Sequence, residues 1–178
     1  MQGKGTYDPS KDTGNTNEGN TFWADQMYVQ YQIPVNARRY PLILVHGGGG
    51  TGRVWETTPD GREGFQTIFL RRGFPVYIVD FPRRGRAGYP SYNGGFGTVD
   101  NETIVANKTN RAGVQYAWSR WRLGPKYPEV FAVQQFPMSS VDQFMQHLVP
   151  TVSDDPEIIS GALIKLLEKI GPAVVVTH

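Results

Sequence analysis

The stretch that most constrains this chain is residues 41–52, Pro-Leu-Ile-Leu-Val-His-Gly-Gly-Gly-Gly-Thr-Gly. Leu42, Ile43, Leu44 and Val45 form an aliphatic run with no polar face. A short run of that kind reads as a strand buried on both sides, as in a parallel sheet. His46 ends it, and Gly47, Gly48, Gly49 and Gly50 follow. Residues without side chains accept unusual dihedrals and let another molecule approach the backbone N–H groups. The expectation is an α/β sheet with an open backbone loop at the carboxyl end of one strand.

Three chemistries use such a loop. A P-loop needs Gly-Lys-Ser/Thr after its glycines, and Gly52-Arg53-Val54 does not supply it. A dinucleotide fingerprint needs Gly-x-Gly-x-x-Gly; Gly47, Gly49 and Gly52 have that spacing, which alone is a weak signal. A buried strand running into His-Gly-Gly-Gly is the pattern that supplies one oxyanion-hole N–H in acyl transfer. Negative charge develops on a carbonyl oxygen there, and one aimed N–H contributes about 3–4 kcal/mol. The oxyanion loop is the favoured reading over a dinucleotide loop or a plain flexible one.

Composition narrows the classes further. At 178 residues one domain is expected. A net charge of +2 does not suggest a nucleic-acid binder. No apolar run approaches the roughly 18 residues of a membrane span. Residues 1–20 contain no apolar signal-peptide core, and a removed signal leaves the compartment open, secreted, periplasmic or cytoplasmic. Cysteine is absent, so no disulfide, thiolate metal site or cysteine nucleophile is expected. No cofactor or metal is implied, and homodimerisation stays open.

Along the chain, residues 1–21 are rich in Gly, Asn, Thr and Asp and are expected to be irregular. Met27, Val29, Tyr31 and Ile33 alternate with polar or aromatic neighbours, which is strand period. A turn at residues 34–39 suggests a hairpin-like approach to the buried strand. Pro59-Asp60-Gly61 is a turn signal. Phe65, Ile68 and Phe69, with Arg71, Arg72 and Gly73 behind them, make a short helix. Residues 75–80, Pro-Val-Tyr-Ile-Val-Asp, are a second buried strand and complete a βαβ unit. Asp80 suits a ribose-binding acid, but a strand-end carboxylate serving loop N–H groups or the neighbouring Arg83, Arg84 and Arg86 is favoured. Those arginines read as structural or solvated rather than as a ligand site.

Residues 88–107 are loop-like and long for a connector. Asn101 and Asn107 sit in glycosylation sequons, which say nothing without a secretory context. Helices are expected at 109–123, with Val114, Trp118 and Trp121 on one side, and at about 140–148. His147, in the second, reads as a surface or packing histidine. The aromatics between Tyr89 and Phe144 suit a core or the wall of an apolar pocket. Asp155 is a good N-cap and Pro156 a good first residue for the clearest helix. Its face is Ile158, Ile159, Ala162, Leu163, Leu166, Leu167 and Ile170, and Gly171-Pro172 stops it. Residues 173–176, Ala-Val-Val-Val, are another buried strand, followed by Thr177 and His178.

The chain resembles the bacterial esterase family of the α/β-hydrolases. The matching stretches include Asp25-Gln26-Met27-Tyr28-Val29, Val45-His46-Gly47, Trp55-Glu56-Thr57-Thr58-Pro59-Asp60-Gly61-Arg62, Gly124-Pro125-Lys126-Tyr127-Pro128 and Gln135-Phe136-Pro137. The resemblance implies the N-terminal part of an α/β-hydrolase fold over residues 22–178, a mostly parallel sheet flanked by helices. A cap-like helical insertion spans about 89–150. It implies a serine hydrolase of small-molecule carboxylic esters, with Gly48, flanked by Gly47 and Gly49, giving an oxyanion N–H. In this fold a nucleophile elbow follows such a strand, so the serine is expected directly after His178. The triad acid and histidine come later still, which leaves His46 and His178 poor candidates for the base. The expectation is therefore that this chain is inactive alone and is completed by a C-terminal portion, in one chain or as a second. An Asp nucleophile of dehalogenase or epoxide-hydrolase type, and a non-catalytic binding protein, are the alternatives.

Overall fold

A computed structural model describes residues 2–4, 7–11, 21–88, 110–151 and 156–178. The expectations for residues 89–109, including both sequons, for 12–20 and for the Asp155 cap lie outside them.

Among the described residues six strands form, β1 (Gln2–Lys4), β2 (Phe22–Ala24), β3 (Tyr28–Gln32), β4 (Leu42–Val45), β5 (Val76–Asp80) and β6 (Val174–Thr177). The last four make one sheet in the order β3-β5-β4-β6. β4 pairs in parallel with both β5 and β6, and β3 lies antiparallel to β5. The hairpin-like approach is thus not what forms. β3 skips β4 and pairs with the later β5, with Tyr31 stacked on Tyr77 at 5.3 Å. An alternating strand fixes which face is buried and says nothing of which neighbour it takes. A second difference lies at the N-terminus, where β1 pairs antiparallel with β2 although residues 1–21 read as irregular. Strands of three residues are too short to show a period.

The helices are α1 (Phe65–Arg71), α2 (Val114–Arg120), α3 (Val141–Gln146) and α4 (Pro156–Ile170). α1 stops as its sequence foretells. Gly73 has φ +83°, its N–H reaches the Leu70 carbonyl at 2.9 Å, and the Phe74 N–H reaches Phe69 at 3.1 Å. Phe69 and Phe74 then meet edge-on, the apolar contact that accompanies this stop. α4 begins at Pro156 and ends before Gly171, at φ +81°.

β4 has α1 on one side and α4 on the other. Leu42 and Leu44 pack with Trp55, Val76, Ile78, Phe69 and Leu70. Ile43 and Val45 pack with Val79, Leu163, Leu166, Leu167 and Ile170. β6 differs from its expected burial: Val174 and Val175 are half exposed, because β6 is the edge strand of the described sheet. A third cluster lies apart from the sheet, where Ala117, Trp118, Leu123, Met145 and Leu148 join α2 to α3. Backbone hydrogen bonds between Asn110 and Thr151, at 2.6 and 2.7 Å, hold the two ends of this segment together. Among the described residues no helix is long and apolar enough to cross a membrane.

Candidate active site

The glycine loop leaves β4 at its carboxyl end, and His46 fixes its first peptide. The His46 ring is buried, with Nδ1 2.9 Å from the Gly47 carbonyl oxygen and Nε2 3.2 Å from the Phe81 amide nitrogen. An amide N–H can only donate, so Nε2 is the acceptor and Nδ1 carries the proton. The ring is therefore a neutral structural donor to Gly47, not a catalytic base.

Two further donors reach the same carbonyl. The Gly50 N–H lies 3.3 Å away and the buried Arg84 Nη1 lies 3.4 Å away. This geometry has a consequence for the next residue. The only cis peptide among the described residues is Tyr127–Pro128, so Gly47–Gly48 is trans. In a planar trans peptide the C=O and N–H point in opposite directions. A Gly47 carbonyl held inward by three donors leaves the Gly48 N–H directed away from them. Gly48 is exposed, a Cβ built on it would meet nothing within 4 Å, and its N–H has no partner among the described residues.

The far end of the loop is tied to β5. Asp80 is fully buried and its carboxylate accepts from the Gly52 N–H at 2.6 Å. It also accepts from the Arg86 N–H at 2.9 Å, from Nε at 2.9 Å and from Nη2 at 3.1 Å. Burial alone would raise this carboxyl, but the hydrogen bonds from Arg86 and Gly52 hold it below the ordinary carboxylate range. Asp80 is the loop-holding carboxylate that the sequence favours. Gly52 must be glycine, because a Cβ there would run into Ile78 and lie 2.9 Å from Asp80 Oδ1. The arginine cluster is likewise occupied within the protein. Arg83 makes a forked pair with Asp25 at 2.6 and 3.2 Å. Arg86 also reaches Gln30 at 2.8 Å and Glu56 at 3.0 Å.

A cavity of about 560 Å³ opens above the loop. Its floor is Gly47, Gly48 and Gly50, with Val54, Trp55 and Phe65 beside them. Its roof comes from the helical segment, through Arg120, Trp121, Arg122, Leu123, Phe136, Phe144, His147 and Leu148. Roof and floor are joined where the Val149 N–H donates to the Gly49 carbonyl at 3.0 Å. The aromatics that could have been core or pocket wall are both: Phe144 packs in the third cluster and lines the cavity.

His178 also lines this cavity, and a Cβ on Gly47 would collide with its Nδ1. The reason is register. Thr177 sits opposite Val45 in a parallel pair, so His178 emerges beside His46 and the glycines. Of the two readings of His147, surface or packing, the half-buried ring against Phe144 fits packing. Burial, with a smaller effect of Arg53, lowers its pKa. Sequence reasoning did not single out Trp55, Phe65 or Arg84 for this site. Trp55 is turned into the wall by a short 3-10 helix, Gly52–Trp55, for which the sequence carries no periodic signal.

No family model matches the chain. It is similar to a probable secreted lipase, phiG, from Fungal sp. (strain ATCC 74256), at 36% identity over 161 residues. That match covers 85% of this chain and 42% of the relative. A solved structure, the atomic-resolution structure of a novel bacterial esterase, superposes with a TM-score of 0.79 at 33% identity. That match covers all of this chain and 57% of the solved chain. The chain thus spans under half of the curated relative's length and a little over half of the solved chain. Its mixed sheet with flanking helices is part of an α/β-hydrolase fold.

Proposed function

We propose that the full-length protein is a serine hydrolase of carboxylic esters that works through an acyl-enzyme. In this reading the chain supplies the Gly48 N–H to the oxyanion hole, and β6 leads to a serine directly after His178. The serine hydroxyl oxygen attacks the ester carbonyl carbon while a histidine from the C-terminal portion takes its proton. The tetrahedral oxyanion is held by the Gly48 N–H and a second N–H from the residue after the serine. The C–O bond to the alcohol breaks, the alcohol leaves with the proton, and water repeats the sequence on the acyl-enzyme. The segment at about 89–150 acts as a cap over the acyl or alcohol group.

The observation that carries this reading is the Gly47 carbonyl. Three donors hold it at 2.9, 3.3 and 3.4 Å. Their effect is to preorganise the exposed Gly48 N–H, which has no acceptor among the described residues, and that is the property an oxyanion donor needs. The likeness to a probable lipase and to an esterase supports the same class.

The test is fluorophosphonate labelling of the full-length protein followed by peptide mapping. A phosphonyl group on a serine at the position after His178, together with loss of ester turnover, is the expected result. No label with intact ester turnover would favour an Asp nucleophile. No label and no turnover would favour a binding protein.

A further inference from the structure

The Val149 N–H donates to the Gly49 carbonyl at 3.0 Å, the one backbone hydrogen bond between roof and glycine loop among the described residues. The carbonyl it reaches shares a peptide with the Gly50 N–H. That N–H in turn donates to the Gly47 carbonyl at 3.3 Å. This bond closes a four-residue turn whose third residue, Gly49, has φ +75°. A positive φ at the third position alone is the type II pattern, which favours glycine there.

The Gly49–Gly50 peptide is trans, as Gly47–Gly48 is. A planar trans peptide points its C=O and its N–H in opposite directions. A donor that fixes the Gly49 carbonyl therefore fixes where the Gly50 N–H points. The Gly50 N–H then bears on the Gly47 carbonyl, whose direction sets that of the Gly48 N–H. Two peptide planes thus link Val149 to Gly48. Val149 is itself anchored on both sides. Leu148 before it is buried and packs with Trp118, Leu123 and Met145. The Leu148 Cδ2 also lies 3.9 Å from the place of a Cβ on Gly49. Thr151 after it exchanges two backbone hydrogen bonds with Asn110, at 2.6 and 2.7 Å.

We infer that Val149 is a positioning residue for the oxyanion hole, its N–H setting the direction of the Gly48 N–H through the Gly49–Gly50 peptide. The inference rests on the ester-hydrolase reading and adds a residue of the roof to the machinery of that site. The roof then takes part in the chemistry without Val149 touching the substrate.

The experiment removes this N–H alone. In the full-length protein Val149 is replaced by 2-hydroxyisovaleric acid, which keeps the side chain and turns the N–H into an ester oxygen. Val149→Pro, which also removes the N–H but restrains Leu148, is a second variant. The control replaces Thr151 by its α-hydroxy acid, which deletes its bond to Asn110 at the root of the roof and leaves Gly49 untouched. Spectra of protein labelled with heavy nitrogen at glycine read the loop, with the Gly48 signal assigned by its loss in Gly48→Ala.

The oxyanion exists only in the transition state, so kcat should respond and KM should not. Deletion at Val149 is expected to lower kcat for phenyl acetate about five- to tenfold, with KM within about twofold. That is less than the roughly hundredfold loss from removing an oxyanion donor outright. The Gly48 and Gly50 amide signals should move in the Val149 ester. They should keep their places in Val149→Ala, which retains the N–H, and in the Thr151 ester.

An unmoved Gly48 signal or an unchanged kcat in the Val149 ester would overturn this inference and leave the hydrolase reading standing. Equal changes in the Thr151 ester would show that the bond acts only by holding the roof in place, and would overturn it as well. Absence of both turnover and fluorophosphonate label would overturn the hydrolase reading and the oxyanion role with it. The glycine signals would then still decide whether Val149 sets the direction of the Gly48 N–H.

Discussion

The floor and the roof of the cavity are built in opposite ways. The floor stands on β4 and β5, where Ile43, Leu44, Ile78 and Val79 are fully buried aliphatics between two helical layers. Its backbone is committed to a continuous hydrogen-bonded ladder. The roof consists of helices of seven and six residues, too short to be stable alone. It is held by edge-on aromatic contacts, Trp121 with Phe144 at 5.6 Å and Phe136 with Phe144 at 5.2 Å. The difference teaches that the glycine loop rests on a base of high expected local stability, whereas the segment above it is built of elements that open locally at lower cost.

The largest effect that could break this comparison is a core deletion on each side. Ile78→Ala should cost about 3–5 kcal/mol and lower the denaturation midpoint of the whole fold. Leu123→Ala should cost about 2–3 kcal/mol, and amide exchange should quicken only across the roof. A single global transition affected equally by both changes would show that floor and roof are one cooperative unit.

The next effect is on the ties of the loop. Asp80→Asn removes the charge that holds Arg86 and weakens the acceptor of the Gly52 N–H. The Arg86 side chain is 34% exposed, so the loss should be about 2–3 kcal/mol, short of that for a fully buried pair. Thermal melts of the two proteins measure it. A change below about 0.5 kcal/mol would mean that the network does not hold the floor.

Acid should separate the two regions. His147 has a folded pKa below its ordinary value of about 6.5, so its contribution to stability is present above that pH and is lost as pH falls through the lowered value. The Asp80 contribution is present above about 3.9 and is lost only as pH falls through its own lowered value. Amide exchange at Met145 and Leu148, corrected for the intrinsic rate, should therefore rise below about pH 6.5 while Leu44 and Ile78 keep their protection. Protection that falls together in both regions would contradict this order. The smallest effect is expected at Gly48→Ala, where no atom lies within 4 Å of the new Cβ and φ is outside the left-handed region. Its change in stability should stay within about 0.5 kcal/mol, and a larger loss in a melt would mean that the loop has no free space there.

Much of the floor was legible in the sequence and little of the roof was. Leu42 to Val45 announces itself as an uninterrupted aliphatic run and Val76 to Val79 as an apolar one, and Pro156 and Gly171 mark the ends of α4. The neighbour of β3 was not legible, because pairing order is a property of the whole sheet. The exposure of β6 was not legible either, since an apolar run reads alike at the edge and in the centre. In the roof, aromatic residues serve packing and cavity at once, so their type alone could not assign them. The resemblance points to Gly48 from sequence alone. The meeting of His46, Gly50 and Arg84 at the Gly47 carbonyl was not legible, because the Arg84 contact spans 37 positions of sequence.

The central claim is that the Gly47 carbonyl, held by three donors, aims the Gly48 N–H at the oxyanion. A crystal structure of the full-length protein carrying a phosphonate on its nucleophile tests it most directly. The expected result places the Gly48 nitrogen about 2.7–3.1 Å from the phosphonyl oxygen, with the Gly47 carbonyl still bound by His46 and Arg84. A phosphonyl oxygen held by other donors, with the Gly48 N–H turned away, would contradict it.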